Sequence, residues 1–224
     1  NPLGAELWSL TDAQGREYMT DADPAFWTGH APLLFPIVGA LNGGTYRLGS
    51  RKYALPKHGF ARTSRFDVTE QASDRVNFRL RDSEESRPSY PFAFVLDVAF
   101  ALSGQTLVVT ATVSNADGDP LPFSFGFHPA FAWPLPDGGA KDAHRIVFER
   151  DEPEPIRRLD PARAMLLPDP RPSPVKGNVL LPDASMFEED ALIWKRLNSR
   201  ALSFEGDGPS LGIAFPDFPN LGVW

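Results

Sequence analysis

The sequence predicts an all-β domain built from antiparallel strands. Two observations carry this: period-two apolar alternation recurs along the chain, and 23 prolines with 18 glycines interrupt nearly every window that could hold a 3.6-residue apolar stripe. A third is the regular spacing of turn signals between short alternating runs, the pattern of a sandwich or barrel.

Taken in order, Thr45 to Leu48 faces Lys52 to Leu55 across Gly49-Ser50, and Phe66 to Glu70 faces Val76 to Leu80. The longest run places Phe92, Phe94, Leu96, Val98, Phe100 and Leu102 on one face. A Ser103-Gly104 turn leads from it to Leu107, Val109, Ala111 and Val113, which predicts a long hairpin. RIVFER reads as a strand, and Ala201 to Glu205 pairs with Leu211 to Phe215 across Gly206-Asp207-Gly208. Pro153 to Pro174 is proline-broken and reads as an ordered connection, while Ala184 to Glu189 is the single candidate for a helical turn. No repeat or low-complexity tract divides the chain, so residues 1–224 are expected to form a single domain.

A net charge of -7 disfavours polyanion partners, and the basic residues are scattered, as in Arg157-Arg158, with no stripe for a nucleic-acid backbone. No apolar run reaches the roughly 18 residues of a membrane span, and no basic-then-apolar leader opens the chain. The expectation is a cytoplasmic protein with neither nucleic acid nor membrane as partner. Cys 0 excludes thiolate chemistry and disulfides. The paired Cys/His spacings and HExxH of metal sites are missing, as are the G-x-S-x-G elbow and glycine-rich nucleotide loops.

Chemistry therefore concentrates on four histidines. His144 precedes RIVFER and reads as a surface residue; His30, in WTGHAPLLFP, sits where a loop enters an apolar run and fits a pocket rim. His58 lies in LPKHGFAR, where Gly59 permits a sharp turn and a non-helical approach lets His58 and Arg62 face a common space. A hairpin exit with a solvated arginine explains the same residues. His128 lies in SFGFHPAF, at the end of an alternation and directly before a proline that forces extended geometry. An imidazole held there can act as acid or base near neutral pH, or can be a buried histidine satisfied by a carbonyl. Two histidines, an arginine, aromatic faces and carboxylates suit a hydroxyl-rich ligand such as a sugar.

In order along the chain, GAELWSLTDAQGREYMTDADPAFWTGHAPLLFPIVG, HGFAR, YPFAFVLDVAF, VSN, FGFHPAF, MFEEDALIW and FPNLGVW resemble the aldose 1-epimerase (galactose mutarotase) family, especially its LacX-like and hexose-phosphate epimerase-like branch. The resemblance implies an antiparallel β-supersandwich and the interconversion of α and β anomers of a hexose or hexose phosphate, without cofactor or metal. It implies that His128 protonates the ring oxygen, that His58 orients or polarises it, and that Arg62 contacts substrate. Asp190 resembles the carboxylate that grips sugar hydroxyls, and fits a helix-end carboxylate equally well. Trp27, Phe35 and Phe131 fit either a pocket wall or the core.

Two departures accompany the likeness. The family's base glutamate follows the region matching FPNLGVW and is matched by no glutamate of this chain, Glu205 in FEGDG being a hairpin residue; the domain is thus expected to be truncated at both ends. Ala40 stands where related sequences have arginine. A non-catalytic sugar-binding protein, or an accessory domain of a larger glycoside-processing enzyme, are the alternative readings.

Overall fold

Short alternating runs closed by tight turns pair locally, and the computed structural model, which describes residues 1–224, is built almost wholly from such pairs. The strands are β1 (Leu33–Leu34), β2 (Thr45–Leu48), β3 (Arg51–Ala54), β4 (Asp67–Gln71), β5 (Arg75–Arg81), β6 (Phe94–Ser103), β7 (Thr106–Asn115), β8 (Gly126–Phe127), β9 (Arg145–Phe148), β10 (Leu159–Asp160), β11 (Met165–Leu166), β12 (Val179–Leu180), β13 (Leu192–Trp194), β14 (Ala201–Glu205), β15 (Leu211–Ala214) and β16 (Leu221–Val223). Helical structure is limited to short 3-10 turns, and no helix is long and apolar enough to cross a membrane. Backbone contacts divide the chain into two units, Asn1–Ala130 and Phe131–Trp224.

The first unit is organised by the antiparallel sheet β4-β5-β6-β7. Its alternation buries Phe94, Leu96, Val98 and Phe100 on one face, each such side chain worth about 1.5–3 kcal/mol on leaving water. The long hairpin turns at Gly104-Gln105, one residue later than the sequence suggests, since Ser103 pairs with Thr106 and Gly104 takes a φ of 58°. Leu102 shares the alternation and is 51% exposed, because at the hairpin tip no layer lies over it. The β2–β3 hairpin pairs Leu48 with Arg51 across Gly49-Ser50, as its turn residues predict. The core gathers the inner face of the sheet with Leu33, Phe35, Ala61, Phe66 and Tyr90.

The second unit has the sheet β12-β9-β14-β15, with β14–β15 in the expected hairpin, and a separate β13–β16 pair. Phe148, Leu180, Leu192 and Trp194 form its core. Within Pro153–Pro174 the structure adds a β10–β11 pair and a two-way bridge between Ile156 and Arg171. Two-residue strands are too short to register as alternation, hence the reading of this stretch as connection only. The helical turn is Ala184–Phe187, and the Asp183 carboxylate caps it by accepting the Ser185 N–H at 2.9 Å.

His144 is not a surface residue. It is 1% exposed, its Nε2 accepts the Leu135 N–H at 3.0 Å and its Nδ1 lies 2.9 Å from the Ala140 carbonyl. Both ring nitrogens are spent on backbone, so this imidazole is structural.

Candidate functional site

The site in the first unit is assembled on one apolar segment, LLFPIVG, residues 33–39. Its first residues form β1, which pairs antiparallel with β8, Leu33 opposite Phe127 and Leu34 opposite Gly126. That pairing delivers His128 at the strand end, with Pro129 after it. The next residue, Phe35, bridges Gly59, and the Phe35 carbonyl accepts the N–H groups of both Phe60 (3.0 Å) and Ala61 (3.2 Å). The HGFAR loop is thereby hung from the same segment that holds the FGFHPAF strand. Two motifs with 62 residues between them meet because each is hydrogen-bonded to a different part of residues 33–39.

Local backbone chemistry explains HGFAR. His58 and Gly59 both have positive φ, 67° and 69°. At Gly59 a Cβ would lie 2.1 Å from the Phe35 carbonyl oxygen, so only glycine allows the chain to approach. His58 tolerates its strained φ because it is clamped twice: its N–H donates to the Gly39 carbonyl at 2.8 Å, and its Nδ1 accepts the Gly39 N–H at 3.0 Å. Gly39 is held in turn, since the Ser124 N–H donates to the Pro36 carbonyl at 3.0 Å and the Val38 N–H donates to the Ser124 hydroxyl at 3.0 Å.

The result is a pair of imidazoles with ring centroids 5.8 Å apart and planes at 66°. Trp27 also lies against His128, centroids 5.2 Å apart. The Trp27 ring also leans over Gly29, where a Cβ would come within 2.5 Å of it. The opening of the apolar segment is braced by Glu6, whose carboxylate accepts the His30 and Ala31 N–H groups at 2.8 Å each. His30 is 8% exposed and stacks beneath Trp8 at 4.0 Å, which makes it part of this brace. Arg62 sits on the 3-10 turn Ala61–Thr63 and donates to the Lys57 carbonyl at 3.2 Å.

Electrostatics separates the two histidines. Burial lowers the His58 pKa, and the charges of His128, Lys57 and Arg62 lower it further, to about 4. His128 is also lowered, first by burial and then by Arg62 and Lys57, against a backbone hydrogen bond that raises it. The charge of His128 is among the causes that lower His58, so a proton on one imidazole disfavours a second on the other. The Gly39 N–H orders the two by geometry: an Nδ1 that accepts a hydrogen bond carries no proton, so neutral His58 is the Nε2–H tautomer. The pair offers one fixed donor and one titrating acid, in a field made positive by Lys57 and Arg62.

The remaining sequence candidates separate into core and second unit. Phe35 is 0% exposed within the first core, so its ring walls no pocket; its carbonyl serves the site instead. Phe131, half-buried, begins the second unit. Asp190 also belongs to the second unit, where it has a φ of 65° and its carboxylate accepts the Ala191 N–H at 2.6 Å. The buried Arg158 holds this turn by donating to the carbonyls of Asp190 (2.7 Å) and Met186 (2.8 Å). Glu205 closes β14, bonded to Arg145 at 2.8 Å and Ser203 at 2.5 Å. No group of three or more His, Asp or Glu side chains is placed to hold a metal.

Residues 1–219 match the family model described as aldose 1-epimerase. The chain belongs to the aldose 1-epimerase family. Protein LacX of Lactococcus lactis subsp. lactis is 33% identical over 231 residues, covering 99% of this chain and 77% of LacX. A galactose mutarotase-like protein from Lactobacillus casei shares 32% identity with a TM-score of 0.89, covering 100% of this chain and 78% of that one. A galactose mutarotase related enzyme from Lactobacillus acidophilus shares 30% identity with a TM-score of 0.90, covering 100% and 75%. The all-β fold is thus that of galactose mutarotase-like structures.

In this member of the aldose 1-epimerase family, the supporting parts played by Gly39, Ser124, Glu6 and Arg158 are not legible in the sequence. Each acts through hydrogen bonds to residues far away in sequence, and only the turn-forming glycine in PIVGALNGG carried any local signal.

Proposed function

We propose that residues 1–224 form one aldose 1-epimerase domain that interconverts the anomers of a hexose or hexose phosphate by acid–base ring opening. The observation that carries this reading is the facing pair His58–His128, 5.8 Å between ring centroids, with Trp27 against His128. In the proposed reaction the proton of the anomeric hydroxyl passes to a base, a role for which no glutamate of residues 1–224 matches the family's position, while the C1–O5 bond breaks to give the aldehyde. The developing negative charge on O5 takes a proton from His128, and the His58 Nε2–H donates a hydrogen bond to the same oxygen. Rotation about C1–C2 and the reverse proton transfers close the other anomer. General acid catalysis of this kind contributes about 10²–10⁴ in rate.

Arg62 and Asp190 are proposed as contacts to substrate hydroxyl or phosphate groups, and Trp27 as an apolar wall for the sugar's C–H face. Burial is the main cause that depresses both histidines and the charges of Lys57 and Arg62 add to it; that positive field favours an anionic substrate and so supports a hexose phosphate. Proton transfer between side chain and sugar needs no cofactor.

Polarimetry tests the proposal. Freshly dissolved α-glucose, α-galactose and glucose 6-phosphate should relax to equilibrium faster with the protein, and His128→Ala should abolish the gain. Saturable sugar binding by calorimetry without acceleration of any of the three would overturn the enzyme reading in favour of a sugar-binding protein.

A further inference from the structure

The second unit contains a cavity of about 390 Å³ that the proposed chemistry does not use, lined by Glu154, Pro155, Arg157, Pro170, Lys195 and Arg196. Backbone pairing explains why these residues share a wall. Arg157 bridges Ile193 antiparallel, its N–H donating to the Ile193 carbonyl at 2.7 Å and its carbonyl accepting the Ile193 N–H at 3.2 Å. That bridge brings the segment of Glu154, Pro155 and Arg157 next to the segment that continues to Lys195 and Arg196. Ile156 and Arg158 are buried. The Asn220 amide donates to the Lys195 carbonyl at 2.8 Å, so that segment is tied from a second side.

Charge sets this cavity apart. Three cationic residues and one carboxylate residue line it, in a chain whose net charge is -7. Other arginines of this unit are satisfied internally: Arg145 by Glu205, Arg171 by Glu189, and Arg200 by the carbonyls of Leu197 and Ser199. Lys195 and Arg196 make no ion pair and no side-chain hydrogen bond, and Arg157 commits one guanidinium N–H to the Pro168 carbonyl. A guanidinium has five donors, so Arg157 keeps the larger part of its fork. Two guanidinium forks and an ammonium around one hollow match an oxyanion that accepts several charge-assisted hydrogen bonds. Glu154 narrows the class. A carboxylate repels a bare anion but accepts a hydrogen bond from a hydroxyl, and the cavity is large enough for a small organic ligand.

We propose that this cavity binds a phosphate ester of a small polyhydroxylated molecule, with Arg157, Lys195 and Arg196 on the phosphate and Glu154 on a hydroxyl. The site is built entirely from the second unit and does not rest on the proposed epimerase chemistry.

The test is NMR titration of the full chain with glucose 6-phosphate, inorganic phosphate and glucose, each as a separate probe. Glucose 6-phosphate should shift the backbone resonances of residues 154–157 and 195–196 saturably, and glucose should not. Replacing Lys195 and Arg196 together by alanine should weaken that binding about ten-fold or more, the scale of one lost charge-assisted contact. Both side chains are exposed, so folding and any acceleration of free-glucose mutarotation should be unchanged. Arg62→Ala should leave the shifts intact, which separates this site from phosphate held near the histidines. Glu154→Gln should weaken glucose 6-phosphate while strengthening inorganic phosphate. Absence of the shifts, equal shifts with glucose, or unchanged affinity in the double variant would overturn the proposal; a Glu154→Gln gain for both probes would overturn the hydroxyl contact.

Discussion

The N–H of Gly39 donates to Nδ1 of His58 at 3.0 Å while the Gly39 carbonyl accepts the His58 N–H at 2.8 Å. This reciprocal clamp sets the tautomer of one imidazole with a backbone group, and so leaves the other, His128, as the member of the pair that titrates first. Two chemically identical side chains are thereby made to differ by backbone groups of a residue 19 positions away.

The acid role proposed for His128 has a pH signature. Its pKa is depressed below the ordinary 6.5 by burial and by the nearby cations, so the protonated acid is lost as pH rises through a value under 6.5. The kcat/KM for free sugars should therefore decline from acid toward neutral pH, and stopped-flow polarimetry between pH 5 and 9 measures it. A flat profile over that range would remove His128 from the proton transfer.

Ser124 is expected to act as a positioning residue through Val38 and Gly39. Ser124→Ala removes the acceptor for the Val38 N–H, at a cost of about 1 kcal/mol. The expected outcome is partial loss of the Nε2–H tautomer of His58, read from imidazole ¹⁵N shifts, with restoration in Ser124→Thr. Unchanged shifts would mean that the strap is held without the hydroxyl.

Gly59→Ala should destabilise the protein by about 3 kcal/mol or more, combining a positive-φ penalty with a Cβ 2.1 Å from the Phe35 carbonyl oxygen. Urea denaturation gives the magnitude, and His58 resonances should shift in whatever folded fraction remains.

The depressed His58 pKa links folding to pH. The unfolded chain binds a proton near pH 6.5 and the folded chain near pH 4, so between those values the unfolded state holds more protons and stability falls as pH is lowered. Because His58 is half-exposed, the loss should amount to about 1–2 kcal/mol once solvent screening is allowed for. Denaturation midpoints at pH 7, 5.5 and 4 should show this decline, and His58→Gln should reduce it, the depressed His128 supplying the remainder.

Much of the architecture is legible without coordinates, because a strand buried on one face must alternate and a two-residue hairpin must place turn-forming residues between its strands. The runs around Phe94–Phe100, Thr45–Leu48 and Ala201–Glu205 satisfy both conditions, and they appear as strands within a residue or two of where the alternation puts them. The two-residue pieces β1, β10, β11 and β12 escape this reading, since no period can be expressed in two residues, whereas β8 closes the alternation of Phe123, Phe125 and Phe127.

The sequence by itself determined that the chain is all-β, that its hairpins close where glycine and its polar neighbours fall, and that HGFAR and FGFHPAF carry its distinctive histidines. Only the tertiary structure decided that His58 and His128 face each other, that Phe35 offers a carbonyl and keeps its ring in the core, and that His144 is spent on backbone. The reason is physical. Periodicity and turn chemistry act between near neighbours and are written locally, whereas a hydrogen bond from residue 39 to residue 58, or from residue 38 to residue 124, exists only once the intervening chain has folded.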